Sequence, residues 1–544
     1  MPIAVTEPTM LPTEEILRTA LAEHDAQEGE AVDRSEVISK AFVALDSPGN
    51  IPYYRPGITA PLTVCRFRCM LQDTGYPLEV YMPPAESDGL EGGDSGANNL
   101  YGNSVDWSRL KERWVGWGVE IPGEQPWIKA ELEGSSTLIS GFEGLSVDAR
   151  SSPVALPTSV HGKFPETSAK GSYTGALLKV YDPETSYQAA STYTFTGILS
   201  TSSLPTIDDQ DEMDEGESSS TYVPTLHVLS SPYPVYPLQS ASIATEADAD
   251  REEVLDQLSG AFGVDDRLSA EFLLLALISS VTTRVSGGFP LGSLSLNILL
   301  PKGPDAADPQ AFKRIVNTIS TVSPLVSPAE LSINLISKGS FYPSMVNAAG
   351  STGLQSGVLQ LAPSTVVVMN EDTLEGGDLK DRAVDNLKAL MNVFKMQKLR
   401  YKYPFVAEDF GMDVDLGLVV VGQGKSFLPV DLHVPILSSQ PVPGTKPIDD
   451  NRLKAIRRYI SEARAAAKSL SIPDDVAEHI QSEFVRLRKK ATEEGKTVGE
   501  EELKRWMKIA RLLALSHPHR VLTKGIWERV LSMDAERLSR LETR

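Results

Sequence analysis

The run Val366-Val367-Val368-Met369, closed at once by Asn370-Glu371-Asp372, restricts the possible folds more than any other stretch. A strand with one wet face alternates, whereas four apolar residues in a row need cover on both faces. The strand is therefore interior, and it ends in acids. A helical segment follows, Leu379 to Lys395, with Leu387, Leu390, Met391 and Phe394 in a 3-to-4 rhythm. Upstream, Leu294–Leu300 reads as a strand, Pro309–Ser320 as a helix and Ser332–Ile336 as a strand; Asp415–Val421 and Phe427–Val434 read as a further strand pair. Alternating strands and helices of this kind specify an α/β module, placed over residues 250–440.

At 544 residues the chain is too long for one core. Residues 1–60 form a helical N-terminal segment, with helices over Thr13–His24 and Ser35–Leu45. Residues 61–230 are β-rich. Their strands are Val64–Leu71, Val119–Glu124 with Pro126-Trp127-Ile128, Ala176–Tyr181 and Tyr193–Leu199, with Val223–Leu229 leading out. These pieces suit a small antiparallel barrel of oligonucleotide/oligosaccharide-binding (OB) type, split by a Ser/Pro/Gly-rich linker over 133–172. A loop over 85–104 and an acidic loop over 208–217 complete the domain. A buried helical region, Glu252–Val281, leads into the α/β module. From residue 449 the chain is helical, over Arg452–Leu470, Asp474–Lys490, Gly499–Leu515 and Lys524–Leu541.

Charge and cysteine content limit the function classes. The net charge is −22, yet from Asn451 onward 21 Lys/Arg face 14 Asp/Glu. The acidic remainder opposes strong direct nucleic-acid binding and suits a partner with basic surfaces. No apolar run reaches membrane-spanning length, and the N-terminus carries acids and prolines where a signal peptide would be basic and then apolar, so no membrane association is expected. Cys65 and Cys69 share a strand face about 13 Å apart, too far to pair, and read as buried thiols of a reducing compartment.

Catalytic patterns are sparse. A phosphate-binding loop needs G-x-x-x-x-G-K-[ST] before a helix. Gly422-Gln423-Gly424-Lys425-Ser426 offers the end of that motif, but Val419 stands at the first glycine and a strand-like segment follows. After Leu300 the chain reads Pro301-Lys302-Gly303-Pro304-Asp305, with no Gly-Lys-Ser/Thr. An ATPase using Lys425 and Glu371 remains one alternative. Another is a single-strand binder using Trp107, Trp114, Trp117 and Trp127 near Lys111 and Arg113. H-E-x-x-H, G-x-S-x-G and C-x-x-C are absent from the sequence, and neither metal nor cofactor is expected.

The apolar strand with acids at its tip looks like a Walker B element, with Asn370 where an Asp is usual. The order of parts resembles the ATPase module of the minichromosome maintenance (MCM) helicase. An ordered set of segments resembles the MCM-binding protein family: Phe67–Asp73, Pro122–Lys129, Leu178–Tyr181, Gly197–Ser200, Ala270–Ser279, Phe289–Gly292 and Ser356–Leu361. Ser482–Arg488 and Met507–Ala514 look like the helicase's own helical lid. The fold class implied is multidomain α/β plus β: a split OB-like barrel, a degenerate AAA+-like module and a C-terminal helical lid over 449–544. The resemblance implies a nuclear, non-enzymatic protein of DNA replication. It would bind MCM helicase subunits in assembly, storage or unloading, associate with chromatin indirectly, and have links to sister-chromatid cohesion. Lys504, Arg505, Lys508 and Arg511 are expected to face such a partner, while Leu503, Trp506, Ile509 and Leu513 pack inward.

Overall fold

The computed structural model describes residues 12–28, 32–84, 107–134, 156–165, 173–182, 186–205, 221–238, 243, 245, 248–262, 266–302, 308–345, 353–377, 379–404, 406, 410–438, 449–493 and 497–544. The chain is mixed α/β, with several sheets and a helical C-terminal region. The expected loops 85–104 and 208–217 lie outside the described residues.

Six strands make the first sheet: β1 (Val64–Asp73), β2 (Glu79–Tyr81), β3 (Lys111–Val119), β4 (Gly175–Val180), β5 (Thr192–Ser203) and β6 (Tyr222–Pro234). Pairing runs β1-β5-β6-β4-β3-β2, and β1 also pairs with β3, so five strands close a ring. All neighbours are antiparallel except β4 and β6. β6 thus belongs to the ring over a longer span than Val223–Leu229. Cys65, Phe67, Cys69, Leu71, Leu178, Val180, Phe195 and Val228 form one core cluster, with the period of 2 of strands that have one inward face. Burial pushes the Cys65 thiol up to about 12 and Cys69 well above its ordinary value, so neither is a nucleophile at neutral pH.

Two helices, α1 (Thr13–Glu28) and α2 (Arg34–Asp46), lie against this ring. Ile16, Leu17, Ala20 and Leu21 of α1 are completely buried. Pro126-Trp127-Ile128 is not a strand: Pro126 opens α3 (Pro126–Glu133), a position where a missing N–H costs nothing and the fixed φ suits a helix. Part of the expected linker is also ordered. Thr158–Lys163 is a 3-10 helix that buries Val160 and Lys163, and Leu156, Val160 and Phe164 join a core cluster with Trp117 and Tyr173.

The second sheet is parallel throughout. Its strands are β7 (Ser295–Leu299), β8 (Val326–Glu330), β9 (Val366–Asn370), β10 (Gly417–Gly422) and β11 (Leu432–Pro435), in the order β8-β9-β10-β7-β11. β10 and β11 flank β7 and do not pair with each other. The expected strand at Ser332–Ile336 is instead part of a short helix, Ile333–Lys338, capped by the Ser332 hydroxyl. The strand is β8, whose Pro328 is tolerated because β8 is an edge. The interior run of β9 divides between two cores. Val366 and Val368 face one side with Leu296, Ile298, Val419 and Val421; Val367 and Met369 face the other with Leu418 and Val420.

The first side is covered by α4 (Arg251–Ser259), α5 (Arg267–Ile278) and α6 (Ala311–Val322); the second by α7 (Ile333–Lys338) and α8 (Asp381–Met396). The expected helix over Glu252–Val281 is broken between α4 and α5. The C-terminal helices are α9 (Asp450–Ala465), α10 (Asp474–Glu493), α11 (Glu500–Leu515) and α12 (Lys524–Glu542). Ile456, Ile460, Ile509, Leu513, Trp527 and Val530 share the first sheet face's core cluster, so these helices pack directly onto the α/β layers.

Candidate functional site

In a parallel sheet, ligands bind beyond the carboxyl ends of the strands. Here the described residues at that end hydrogen-bond to one another. Glu371 follows β9, and its Oε1 accepts the Ser426 hydroxyl at 2.5 Å. Burial raises the Glu371 carboxyl above its ordinary range, the Ser426 bond opposes that shift, and nearby Asp372 adds to it. Asp372 Oδ1 accepts the Gln423 N–H at 2.7 Å. Asn297, inside β7, accepts the Ser426 N–H at 3.1 Å, and His433 Nδ1 lies 2.8 Å from the same oxygen. The Ser426 hydroxyl itself accepts the Leu428 N–H at 3.0 Å. Arg544 donates to the carbonyls of Leu300 and Gln423.

A phosphate cradle works by pointing free backbone N–H groups at the ligand from a loop that enters a helix. In the 422–426 loop the Gln423 and Ser426 N–H groups are already bonded to an acid and an amide. No helix follows before β11. Lys425 is exposed and faces no carboxylate within ion-pair distance among the described residues. Residues 303–307, the other place for such a loop, lie outside the described residues. No observation therefore favours an ATPase centred on Lys425 and Glu371.

The aromatic and basic residues of the first sheet are also committed internally. Trp117 is fully buried and Trp114 nearly so. Trp127 donates its indole N–H to the Ser320 carbonyl at 2.9 Å and lies under the Arg457 guanidinium at 3.9 Å. Arg113 bonds Glu79 and Tyr181, and pairs with Glu23 of α1 at 2.6 Å. Burial alone would lower its guanidinium, but Tyr181, Glu23 and Glu79 together hold it above the ordinary arginine value. Lys179 pairs with Glu23 at 2.9 Å and Lys111 with Glu15 at 2.6 Å. His227 sits beneath, and its pKa is driven well below the ordinary value by burial and by Lys179 and Arg113. Helix α1 thus supplies the carboxylates that pair with Lys111, Arg113 and Lys179. The Trp107 side chain lies outside the described residues.

On α11 the inward set is as expected: Trp506, Ile509 and Leu513 are buried and Leu503 half-buried. The outward set divides. Lys504 is exposed and pairs only within its own helix, with Glu500 at 2.8 Å and Glu501 at 3.1 Å, and Arg511 is exposed. Arg505 instead reaches buried Asp534 at 3.2 Å, and Lys508 ties α11 to Asp431 at 2.6 Å. Those two cations pair with acids from other parts of the chain.

A feature with no local sequence signal is the junction between the two sheets. The Gln125 N–H donates to the Pro324 carbonyl at 2.9 Å and the Val326 N–H to the Gly123 carbonyl at 2.8 Å. Gly123 has φ +72°, and a Cβ there would lie 2.7 Å from the Val326 oxygen, so both conformation and contact require glycine. Lys163, fully buried, pairs with Asp73 at 2.8 Å. Asp73 also accepts the Leu354 N–H at 2.8 Å, and the Gln360 amide donates to the Gln72 carbonyl at 2.8 Å. Phe67–Asp73, Pro122–Lys129 and Ser356–Leu361, which lie far apart in the chain, therefore all contribute to one joint.

Comparison with known proteins identifies relatives over most of the chain. The sequence is 26% identical over 577 positions to the mini-chromosome maintenance complex-binding protein of Salmo salar, covering 89% of each chain. It is 25% identical over 543 positions to the protein of that name from Arabidopsis thaliana, covering 89% of this chain and 88% of the relative. The Drosophila melanogaster protein is 24% identical over 562 positions, with 88% and 90% covered. Residues 146–541 match the family model described as mini-chromosome maintenance replisome factor, which places this chain in that family.

Proposed function

We propose that this protein is a non-catalytic binding partner of the MCM helicase. It would act in the nucleus during DNA replication, in helicase assembly, storage or unloading, with indirect ties to chromatin and to cohesion. The supporting observation is the match over nearly the whole chain to proteins named as mini-chromosome maintenance complex-binding. The internal hydrogen bonds around Glu371, Asp372 and Ser426 support the non-catalytic part.

The reading divides the chain into a helical entry (1–60), an OB-like domain (61–230), a degenerate AAA+-like domain (250–440) and a lid (449–544). The closed strand ring supports the second division, and the all-parallel order supports the third. In ring ATPases neighbouring subunits meet through the α/β core of one and the lid of the next. A chain with both parts and no working phosphate loop would present subunit-like faces without an ATP cycle. The lid's positive balance against an acidic body would orient the encounter. Affinity purification from nuclear extract, read by mass spectrometry, tests this. MCM subunits should be retained; a partner set without them overturns the reading.

A further inference from the structure

A cavity of about 800 Å³ opens beside the joint between the two sheets. Its wall comes from residues 53–56 ahead of β1, from β1 itself, from the 120–125 turn and from α3. At its base the Arg68 guanidinium donates to both oxygens of Glu124 at 2.7 Å and to Glu133 at 3.0 Å. Arg68 Nε is buried and has no hydrogen-bond partner. The Tyr236 hydroxyl donates to Glu124 at 2.9 Å, so this carboxylate is fully engaged.

The rest of the lining carries surplus positive charge. Arg66 lies over the Tyr53 ring and donates to the Pro48 carbonyl. Arg55 and Lys129 line the cavity and face no carboxylate within ion-pair distance among the described residues. Glu120 is the one lining carboxylate not bound to Arg68. A compact dianion would meet Glu120 and Glu124 as well as the cations. An extended chain with spaced single charges avoids that conflict: it can set carboxylates at Arg55 and Lys129 and turn backbone N–H groups to Glu120. The volume is that of a ligand cleft able to hold a short peptide.

We propose that this cavity docks an acidic peptide segment of a partner protein, with Arg55 and Lys129 taking its carboxylates. This goes beyond the helicase-binding reading and does not depend on which protein supplies the segment. The test uses the full chain and a fluorescein-labelled peptide of alternating Glu and Ser, followed by anisotropy. Peptides with Gln or Lys in place of Glu are controls. Arg55→Glu with Lys129→Glu breaks no ion pair between described residues, and an unchanged melting temperature verifies the fold.

The expected result is saturable binding of the Glu peptide only. The double reversal should weaken it at least about tenfold, and added salt should weaken it further. Inorganic phosphate should compete no better than chloride of equal ionic strength. Absence of saturable binding, equal binding by the double variant, or selective competition by phosphate would each overturn the proposal. Co-precipitation of MCM subunits runs in parallel. Subunits retained without peptide binding reject the cavity alone, whereas loss of subunits with peptide binding intact rejects the helicase-binding reading alone.

Discussion

Asp73→Asn should loosen the joint between the two sheets through the charge it leaves behind. The substitution preserves shape but leaves the charge of Lys163, which is fully buried, with neutral partners alone among the described residues: the new amide, the Leu354 carbonyl at 3.1 Å and the Tyr76 ring, whose centre is 5.2 Å away. Removing one partner of such a pair costs about 3–5 kcal/mol. The stranded lysine can limit that cost by releasing its proton. Its ordinary value is 10.5, and each pH unit below that costs about 1.4 kcal/mol, so the ceiling is about 5 kcal/mol at pH 7 and about 2 at pH 9. Burial already lowers the Lys163 ammonium against the opposing pull of Asp73, and without that pull its folded-state pKa falls further below the unfolded one. The unfolded chain then binds more protons in this window, and stability rises with pH. Urea unfolding at pH 7 and pH 9 reads both effects. The double variant Asp73→Leu with Lys163→Met should cost less than Asp73→Asn, since no charge remains buried. A loss under about 1 kcal/mol at pH 7, or one that grows toward pH 9, would refute the reasoning.

Further outcomes follow from the site geometry. Lys504→Glu with Arg511→Glu should leave the melting temperature unchanged and weaken retention of MCM subunits, more at low salt than high; Lys508→Glu should instead lower stability by about 1 kcal/mol through repulsion of Asp431. Burial pushes the Asp534 carboxyl up, but Arg537, Arg505 and the Trp506 N–H hold it below its ordinary 3.8. Its contribution is therefore complete above that value and lost as pH falls through the folded pKa, and Asp534→Asn should cost about 3 kcal/mol in urea unfolding at neutral pH. Purified protein should turn over ATP at background, equally with Lys425→Ala. A labelled oligonucleotide should bind weakly at physiological salt, and Trp114→Ala should cost about 3–5 kcal/mol of stability with no effect on that binding.

Much of the architecture was legible where one short-range rule governs. The run at 366–369 required cover on both faces, and β9 has it. The four C-terminal helices follow the apolar period within a few residues. At Ser332–Ile336 five residues cannot separate a strand from a capped turn of helix, while the true strand contains a proline that only its edge position permits. Lys163 sat in a stretch with linker composition. Its burial depends on an acid 90 residues away, which leaves no local trace. The same holds on α11: helical period places Lys508 outward, but nothing near it indicates that Asp431, 77 positions earlier, will meet it. Charge content marked the lid as basic; only the fold decides which cations are already occupied.

The most direct test of the central claim is sedimentation of the purified chain with purified MCM subunits in the absence of nucleotide. A stable complex that forms without ATP, and equally with Lys425→Ala, is the predicted result. If no complex forms, or if one forms only when this chain can hydrolyse ATP, the account of a non-catalytic helicase-binding protein is contradicted.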